Sequence, residues 1–529
     1  MKSGLLRGLV FVGGMTGLGV EMAASRLLAP FFGTSLLVWA NLIGLILVYL
    51  ALGYWLGGRL ADRYPDPGAL YGVAALAGFL VGLVPFVARP ILQHSTQSFF
   101  DASVSLFVGS LLATAALFSL PVILLGMLSP FAVRLSLGDP RTAGRDVGAL
   151  YALSTLGSIV GVFLPVLVLI PWLGTRRTFL ALAVALLLVA LAGLLAHARR
   201  RASLGAAAGL TALLVLEVAA PQAVRPGATV LFEAESPYHF VQVLQTGDDR
   251  WLALNEGQAL HSWYNPHRVL SGGIWDAFLL APLFGPDAGE QGSRGAGGTK
   301  LDSPLLPRSS APLPPQSVAL LGLAAGTVAR EYTAVYGPLP IVGVEIDPLL
   351  IDVGRDFFGL DLPNVRPVAA DARAWLQRDS GRYAIIAVDA YRQPYIPFHL
   401  TTVEFFTLAR QRLSDDGVLV INVGHSLTDF RLLDALAATL RQVFPTVYAI
   451  SPDVAYNSLL VATVRPSRLA DYTAHAARVE QPLLREVVEC LEGRVRVWQG
   501  EGLVVTDDHA PVEQITDQII VNYALGRGR

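Results

Sequence analysis

Long apolar stretches recur through the first 220 residues, and they restrict the possible folds of this chain more than any other feature. A helix needs about 20 consecutive apolar residues to cross a bilayer. Spans are therefore predicted at about 5–24, 35–56, 69–90, 104–132, 148–172 and 176–197, with a shorter seventh at about 204–220. The first stretch could instead be a cleaved signal peptide. Glu21 and Arg26 follow it closely and the next span begins at once, which favours an uncleaved helix.

Charged and small residues within this half suggest how its helices interact. Glu21 and Arg26 form either an internal polar site or an ion pair at the level of the lipid headgroups, because a charge at membrane depth needs a partner. Gly157 and Gly161 are spaced four apart. Small residues at helical spacing predict close packing between two helices.

Composition excludes several classes of protein. Hydrophobic residues make up 53% of the chain and charged residues only 15%. The net charge of −2 gives no reason to expect a nucleic-acid partner. The single cysteine, Cys490, excludes an internal disulfide framework and a cysteine metal cluster. No grouping of histidines and acids has the spacing of metal ligands, so no metal is expected.

The second half contains three predicted strands that each end in an acid. An apolar run at 318–321 leads into a turn with Gly322 and Gly326, a helical pattern follows, and the next run ends at Glu345. Two later runs end at Asp371 and Asp389. Strand, small-residue turn, helix, strand and acid form the βαβ pattern of a nucleotide-binding sheet. Since ligands bind beyond the carboxyl ends of such strands, we expect the three acids to converge on one crevice.

Four motifs in order resemble the spermidine/spermine synthase family. They are VEIDP at 344–348, DARAWL at 371–376, YAIIAVDA at 383–390 and LTTVEFF at 400–406. The match covers roughly 232–521, and with the apolar first half the whole chain resembles the membrane-fused members of that family. The resemblance implies an N-terminal bundle of transmembrane helices followed by a Rossmann-like, methyltransferase-type α/β domain with a small β-rich subdomain. The domains predicted are a helical membrane domain at 1–222 with six or seven spans, a β-rich subdomain and connecting helix at 223–285, a disordered insertion at 286–316 and the catalytic domain at 317–529. Within the second of these, residues 232–243 alternate like one strand, and the helix is predicted from about Leu270 to Leu280.

The resemblance also implies an activity and a set of site residues. Family members transfer an aminopropyl group from decarboxylated S-adenosylmethionine to an amine, without a metal. Glu345 would bind the ribose hydroxyls, Asp371 the adenine amino group, and Asp389 would be the catalytic acid/base. The other residues expected to bind the nucleoside are Gly322, Gly326, Tyr238 and Ala372. For Asp371 the alternative is a helix N-cap, and Asp347 before Pro348 is expected to be such a cap.

This chain departs from the family pattern where the amine should bind. The family's Asp in the glycine turn is replaced by Ala324 or Ala325, and its second Asp, three residues after the catalytic one, by Arg392. Its Tyr-His-Glu motif stands here as Ile274-Trp275-Asp276. Its cofactor-contacting glutamine is His239.

Several residues are therefore candidates to rebuild the amine site. Asp276, Tyr391, Arg392 and Asp508 are the residues expected to contact the amine. His399 and His425 are weaker candidates for the pocket, with a structural role as the alternative. The amine itself cannot be named from the sequence.

Two other functions remain open from the sequence. One is an S-adenosylmethionine-dependent methyltransferase on the same fold, in which Arg392 would pair with the cofactor carboxylate. The other is a transporter or sensor that binds a nucleoside or a polyamine without turnover. A homodimer and a lipid membrane are the expected partners besides the amine.

The distribution of basic residues bears on the orientation in a plasma or inner membrane. The positive-inside rule places the N-terminus in the cytoplasm. Six crossings would put the catalytic domain inside and seven would put it outside, away from a cytosolic donor. We expect a cytoplasmic catalytic domain. The basic residues on the first side are Lys2, Arg7, Arg59, Arg63, Arg134, Arg141, Arg145 and Arg199–Arg201, and those on the other are Arg26, Arg89, Arg176 and Arg177.

Overall fold

The structure is a computed structural model that describes residues 3–32, 36–101, 106–137, 141–219, 228–255, 259–285, 317–392, 394–452 and 456–524. The insertion predicted at 286–316 lies outside the described residues. The chain divides into two compact units. A helical unit comprises 1–225 together with 234–240, and an α/β unit comprises 226–233 together with 241–529.

The helical unit is built from long apolar helices that match the predicted spans. Its helices are α1 (Ser3–Phe32), α2 (Leu36–Arg63), α3 (Pro67–Asp101), α4 (Leu106–Ser136), α5 (Ala143–Leu164), α6 (Ile170–Ala196) and α7 (Arg200–Ala219). Six stretches among the described residues are long and apolar enough to cross a membrane. One of them is the continuous 54-residue stretch at 143–196, which joins α5 to α6.

The joined stretch of α5 and α6 is too long for a single crossing. At about 1.5 Å per residue it would extend roughly 80 Å, against a hydrocarbon core of about 30 Å. Gly174 interrupts it with a non-helical φ of 81°. α5 packs against α1, whereas α6 packs against α3. The two helices are therefore separate elements of the unit.

Glycines allow α1 and α5 to pack closely. A Cβ added to Gly157 would overlap the carbonyl oxygen of Phe11, and one added to Gly161 would overlap that of Met15. On the side of α1, a Cβ added to Gly14 would overlap the carbonyl oxygen of Ser154 in α5. The close packing predicted from the spacing of Gly157 and Gly161 is confirmed, because only a residue without a side chain lets the backbones approach this far.

An ion-paired cluster joins the seventh helix to the sixth. Glu217, near the end of α7, accepts from Arg176 at 2.9 Å and from Arg177 at 3.0 Å, and both lie soon after the kink at Gly174. α7 packs against α6 and α3. The weak segment predicted at 204–220 is thus a full helix that runs antiparallel to α6.

Arg26 of α1 is bonded to residues 236 and 238, which lie much later in the sequence but group with the helical unit. Its guanidinium donates to the carbonyl oxygens of Ser236 at 2.6 Å and Tyr238 at 3.0 Å. The carboxylate of Glu235 lies 3.7 Å away and also accepts from Thr175. Arg26 therefore has polar and charged partners within the helical unit.

A small antiparallel sheet precedes the main sheet. Its strands lie in the order β1 (Thr229–Glu235), β2 (Phe240–Thr246), β3 (Asp249–Leu254) and β4 (Ala259–Tyr264). The sequence predicted one alternating strand at 232–243, and this was wrong. The chain turns at 236–239 because Pro237 cannot donate to a ladder and Ser236 Oγ accepts the N–H groups of Tyr238 and His239.

The main sheet has eight strands in the order β12-β10-β11-β9-β8-β5-β6-β7. β7, β6, β5, β8 and β9 are parallel neighbours, and β11, β10 and β12 are added antiparallel. These strands are β5 (Val318–Leu321), β6 (Ile341–Glu345), β7 (Val365–Ala369), β8 (Tyr383–Val388), β9 (Leu413–Gly424), β10 (Thr446–Ile450), β11 (Asn457–Thr463) and β12 (Val495–Val497).

Helices cover both faces of this sheet, which buries near-continuous apolar strands such as β5. They are α8 (Ile274–Ala277), α9 (Thr327–Tyr336), α10 (Pro348–Phe357), α11 (Ala372–Arg378), α12 (Val403–Arg412), α13 (Arg431–Arg441), α14 (Leu469–Ala477), α15 (Pro482–Cys490) and α16 (Val512–Ala524). The helix predicted from about Leu270 instead begins at Ile274 and continues as a 3₁₀ helix over Phe278–Phe284. Gly272 and Gly273 delay its start, since glycine disfavours a helix interior.

Candidate active site

The three candidate acids lie at the carboxyl edge of the parallel strands. Leu321, the last residue of β5, is paired with Val344 on one side and Val388 on the other. Glu345 ends β6, and Asp389 follows β8 directly. The chain leaves β5 toward β6 and β7 and returns on the other side at β8, so this edge is the topological switch point where open α/β sheets bind ligands.

The turn after β5 needs glycine at two positions. Gly322 has a φ of +96°, and a Cβ there would overlap the carbonyl oxygen of Asp389. Gly326 has a φ of +94° and caps α9, where a Cβ would overlap Leu360. Ala324 adopts a φ of +48°, in the left-handed region that alanine disfavours. The turn therefore brings its backbone close to the end of β8.

Glu345 is buried and holds this turn in place. It is 6% exposed. One carboxylate oxygen accepts the N–H of Ala324 at 2.8 Å, and the other accepts that of Asp347 at 3.1 Å. A carboxylate at this edge of the sheet is a hydrogen-bond acceptor of the kind that binds hydroxyl groups. Asp347 caps α10 through the N–H of Leu349, as expected.

Asp371 has a cap role and a second partner. It caps α11 by accepting the N–H of Ala374 at 2.8 Å, and its other oxygen lies 3.0 Å from Nε2 of His399. The next residue but one, Arg373, donates to the carbonyl of His399 and pairs with both oxygens of Asp507 at 2.7 and 2.6 Å. These bonds hold the segment at 506–509, which contains Asp507 and Asp508, beside the start of α11.

Asp389 lies at the centre of a polar cluster. The residue is half-buried, and desolvation of its carboxyl group raises the pKa. Hydrogen bonds from Asn422, at 2.9 Å, and from the Trp275 indole oppose that shift without cancelling it. The side-chain oxygen of Asn422 accepts from the Asn457 amide at 3.0 Å, and its backbone carbonyl accepts from the Tyr391 hydroxyl at 3.1 Å. A carboxyl group with a raised pKa is a stronger base, which suits proton transfer.

Two members of this cluster escaped the sequence analysis. Asn422 is 5% exposed in the apolar run Leu419-Val420-Ile421-Asn422-Val423 of β9. A polar residue within a buried strand needs a hydrogen-bond partner, and this signal could have identified it. Trp275 was noted only as a departure from the family pattern, and nothing in its local sequence indicates a contact with Asp389.

The other three residues predicted to bind the amine are not among the hydrogen-bond partners described for Asp389, and each lies in its own local environment. Asp276 is buried and accepts from Ser271 and Gly272 in its own N-terminal turn. Arg392 is exposed and forms a tight backbone bridge with Tyr395. Asp508 is exposed in the 506–509 turn.

The two histidine candidates and Tyr238 also differ in their contacts and exposure. His399 contacts Asp371, whereas His425 is held by Ser426 and Ser458. Burial lowers the pKa of His425, so it is a neutral structural histidine. Tyr238 is 41% exposed in the turn that groups with the helical unit. Ala372 is buried at the start of α11, next to Asp371.

The fold and the site define the class of domain to which the C-terminal unit belongs. The C-terminal unit is a Rossmann-like α/β domain of the methyltransferase type, preceded in the chain by apolar membrane-type helices. A family model described as the spermine/spermidine synthase domain matches residues 304–463. This part of the chain is therefore similar to the spermine/spermidine synthase domain, and the resemblance found in the sequence is confirmed.

Individual relatives are consistent with this family. The probable polyamine aminopropyl transferase of Bifidobacterium longum is 28% identical over 317 residues, which cover 55% of this chain and 64% of that protein. The polyamine aminopropyltransferase of Vibrio vulnificus is 29% identical over 208 residues, covering 37% of this chain and 69% of that protein. A solved structure of a probable spermidine synthase from Corynebacterium glutamicum aligns with 50% of this chain and 95% of its own, at 18% identity and a TM-score of 0.36.

Proposed function

We propose that this protein is a membrane-anchored aminopropyltransferase that transfers an aminopropyl group from decarboxylated S-adenosylmethionine to an amine. The observation that supports it most directly is a desolvated, hydrogen-bonded Asp389 at the switch point of a spermine/spermidine synthase domain. Membrane anchoring is supported by the six apolar stretches of the helical unit.

The nucleoside half of the site is proposed to lie along the ends of β5, β6 and β7. Glu345 would accept from the ribose hydroxyls, and Asp371 would accept from the adenine amino group. Gly322 and Gly326 would let the donor approach the backbone, with Ala372 beneath the base. The carboxyl groups of Glu345 and Asp389 also suit a donor whose sulfonium is positively charged.

Asp389 is the proposed base. The acceptor amine arrives as an ammonium ion and must lose a proton before it can attack. Asp389 takes that proton, the amine nitrogen forms a bond to the methylene carbon next to sulfur, and the carbon–sulfur bond breaks. The electron pair of that bond stays on sulfur, which leaves as neutral methylthioadenosine. Holding donor and acceptor in line supplies much of the rate of such a displacement.

Methylthioadenosine release tests the proposal directly. The purified full-length protein is incubated with the decarboxylated donor and a panel of amines, and release is followed chromatographically. We expect release that depends on the amine. If the protein binds the nucleoside but releases nothing with any amine, the proposal is refuted. Methyl transfer from intact S-adenosylmethionine, with tighter binding of that form, would favour the methyltransferase alternative instead.

The side of the membrane on which this domain lies is a separate part of the proposal. A cytosolic donor requires a cytoplasmic domain. The pairing of Glu217 with Arg176 and Arg177 puts the end of α7 on the same side of the membrane as the start of α6. With seven helices and the excess of basic residues on the N-terminal side, the positive-inside rule by itself favours an external α/β unit. We retain the cytoplasmic placement, which requires the seven helices to run against the charge bias.

The exposed native cysteine makes this placement testable without mutation. Cys490 is exposed at the end of α15 and is the single cysteine of the chain. A membrane-impermeant maleimide should label it in inside-out vesicles and not in intact cells. Labelling in intact cells would place the domain outside and would rule out a cytosolic donor. The expected homodimer is checked in the same preparation by light scattering of the detergent-solubilised protein.

A further inference from the structure

We infer that the acceptor of this enzyme carries one amino group and not two, which makes it a monoamine. The inference rests on the proposed aminopropyl transfer and concerns the same site. Its basis is the arrangement of acids around Asp389. A diamine bound as a dication needs a carboxylate near each end, because an unpaired ammonium in a partly buried site is strongly disfavoured.

Asp276 is the one acid that could replace the missing carboxylates in the helix before the sheet, and its carboxylate is already occupied. One oxygen accepts from both the N–H and the hydroxyl of Ser271, and the other accepts the N–H of Gly272 at 2.9 Å. Asp276 is 9% exposed. A carboxylate with three donors from its own turn acts as a cap for α8 and is not available to an ammonium ion.

The neighbouring acid Glu331 does not fill the role either. It is fully buried on α9. Burial, together with the nearby carboxylate of Asp276, raises the pKa of Glu331 well above its usual value. Glu331 is therefore enclosed by the protein, and the raised pKa favours its neutral form.

Neutral groups surround Asp389 in place of acids. Among the residues that the structure describes, its hydrogen-bond partners are the Trp275 indole and the Asn422 amide, and the Tyr391 hydroxyl donates to the backbone carbonyl of Asn422. Trp275 and Tyr391 are half-buried aromatic side chains. They offer an apolar surface to the remainder of an amine whose nitrogen is held by Asp389.

Arg392 adds a repulsive element. It follows Asp389 by three residues and is exposed, on a backbone bridged to Tyr395. A cation where the family pattern has an acid disfavours a second ammonium group, because like charges repel. The occupied carboxylate of Asp276 and the neutral partners of Asp389 thus favour one ammonium group, and Arg392 offers no carboxylate to a second one.

Paired amines test the inference in the full-length protein. kcat/KM for methylthioadenosine release is measured with butylamine, 2-phenylethylamine and butane-1,4-diamine. We expect each monoamine to equal or exceed the diamine. A diamine preference of about tenfold or more would overturn the inference while leaving aminopropyl transfer intact, since tenfold corresponds to about 1.4 kcal/mol. Absence of release with these three amines and with the wider panel, in protein that binds the nucleoside, would refute the proposed function itself.

A charge reversal supplies an independent test. Arg392→Asp should shift the ratio of kcat/KM toward the diamine by about tenfold, because it replaces a repulsive charge with an attractive one. Arg441→Asp on the exposed end of α13 changes the charge by the same amount and should leave the ratio unchanged. An equal ratio in both variants would overturn the role assigned to Arg392.

Discussion

Replacement of Asp389 by asparagine separates catalysis from nucleoside binding. The carboxylate accepts from Asn422 at 2.9 Å and from the Trp275 indole. Asparagine has one acceptor oxygen and one NH₂ group, so one of these two donors would face another donor. Leaving a buried donor unpaired costs about 1–3 kcal/mol. We expect the free energy of unfolding to fall by that amount, which thermal or urea unfolding in detergent would measure.

The catalytic effect of Asp389→Asn should be larger than this structural effect. Loss of a positioned general base lowers kcat by about 10²–10⁴-fold, or roughly 3–5 kcal/mol in activation free energy. The Kd for methylthioadenosine should change less than about threefold, under 1 kcal/mol, because the nucleoside is assigned to Glu345 and Asp371. A variant that keeps more than a tenth of the wild-type kcat, or that loses nucleoside binding in parallel, would refute the role of Asp389.

Asn422→Ala tests whether Asn422 affects the pKa of Asp389 or has only a structural role. It keeps the carboxylate of Asp389 but removes a hydrogen bond that lowers the pKa of that carboxyl group. The pKa should therefore rise further, and the acidic limb of the kcat profile should move to higher pH. An unchanged pH profile with a reduced kcat would mean that Asn422 has only a structural role.

The other predictions concern the turn, the ribose acid and the C-terminal helix. Ala324→Gly should raise the free energy of unfolding by about 0.5–1 kcal/mol, since it relieves a positive φ, whereas Ala325→Gly in the same turn should lower it; equal effects in chemical denaturation would contradict this reasoning. Glu345→Gln should weaken methylthioadenosine binding by at least about tenfold in calorimetry, because one charged acceptor is lost, and unchanged affinity would argue against a ribose contact. Burial raises the pKa of Asp517 from 3.8 to about 6, against the opposing hydrogen bond from Tyr395. Its contribution to stability is therefore present below 3.8 and is lost as the pH rises through about 6. The melting temperature of the wild type relative to Asp517→Asn should fall over that window, and parallel curves would show that Asp517 does not titrate there.

Local patterns in the sequence predicted the elements that position the site. The apolar runs before Glu345 and Asp389 are strands buried on both faces, and such runs are visible without tertiary information. The N-caps at Asp347 and Asp371 were also predictable, because a cap bonds to N–H groups only two or three residues away. The run at 232–243 failed because its alternation continues through Pro237, although the chain turns there.

Local patterns were enough to predict an apolar helical half and a half with acids at the ends of parallel strands, since hydrophobic period and strand-end residues are local properties. The folded structure was needed to find which groups hold Asp389, that the carboxylate of Asp276 is bonded to its own turn, and that Glu217 of α7 pairs with two arginines of α6. The physical reason is distance along the chain. Asn422 lies 33 residues beyond Asp389 and Glu217 lies 41 residues beyond Arg176, and no local pattern encodes which distant side chains meet when the strands and helices pack.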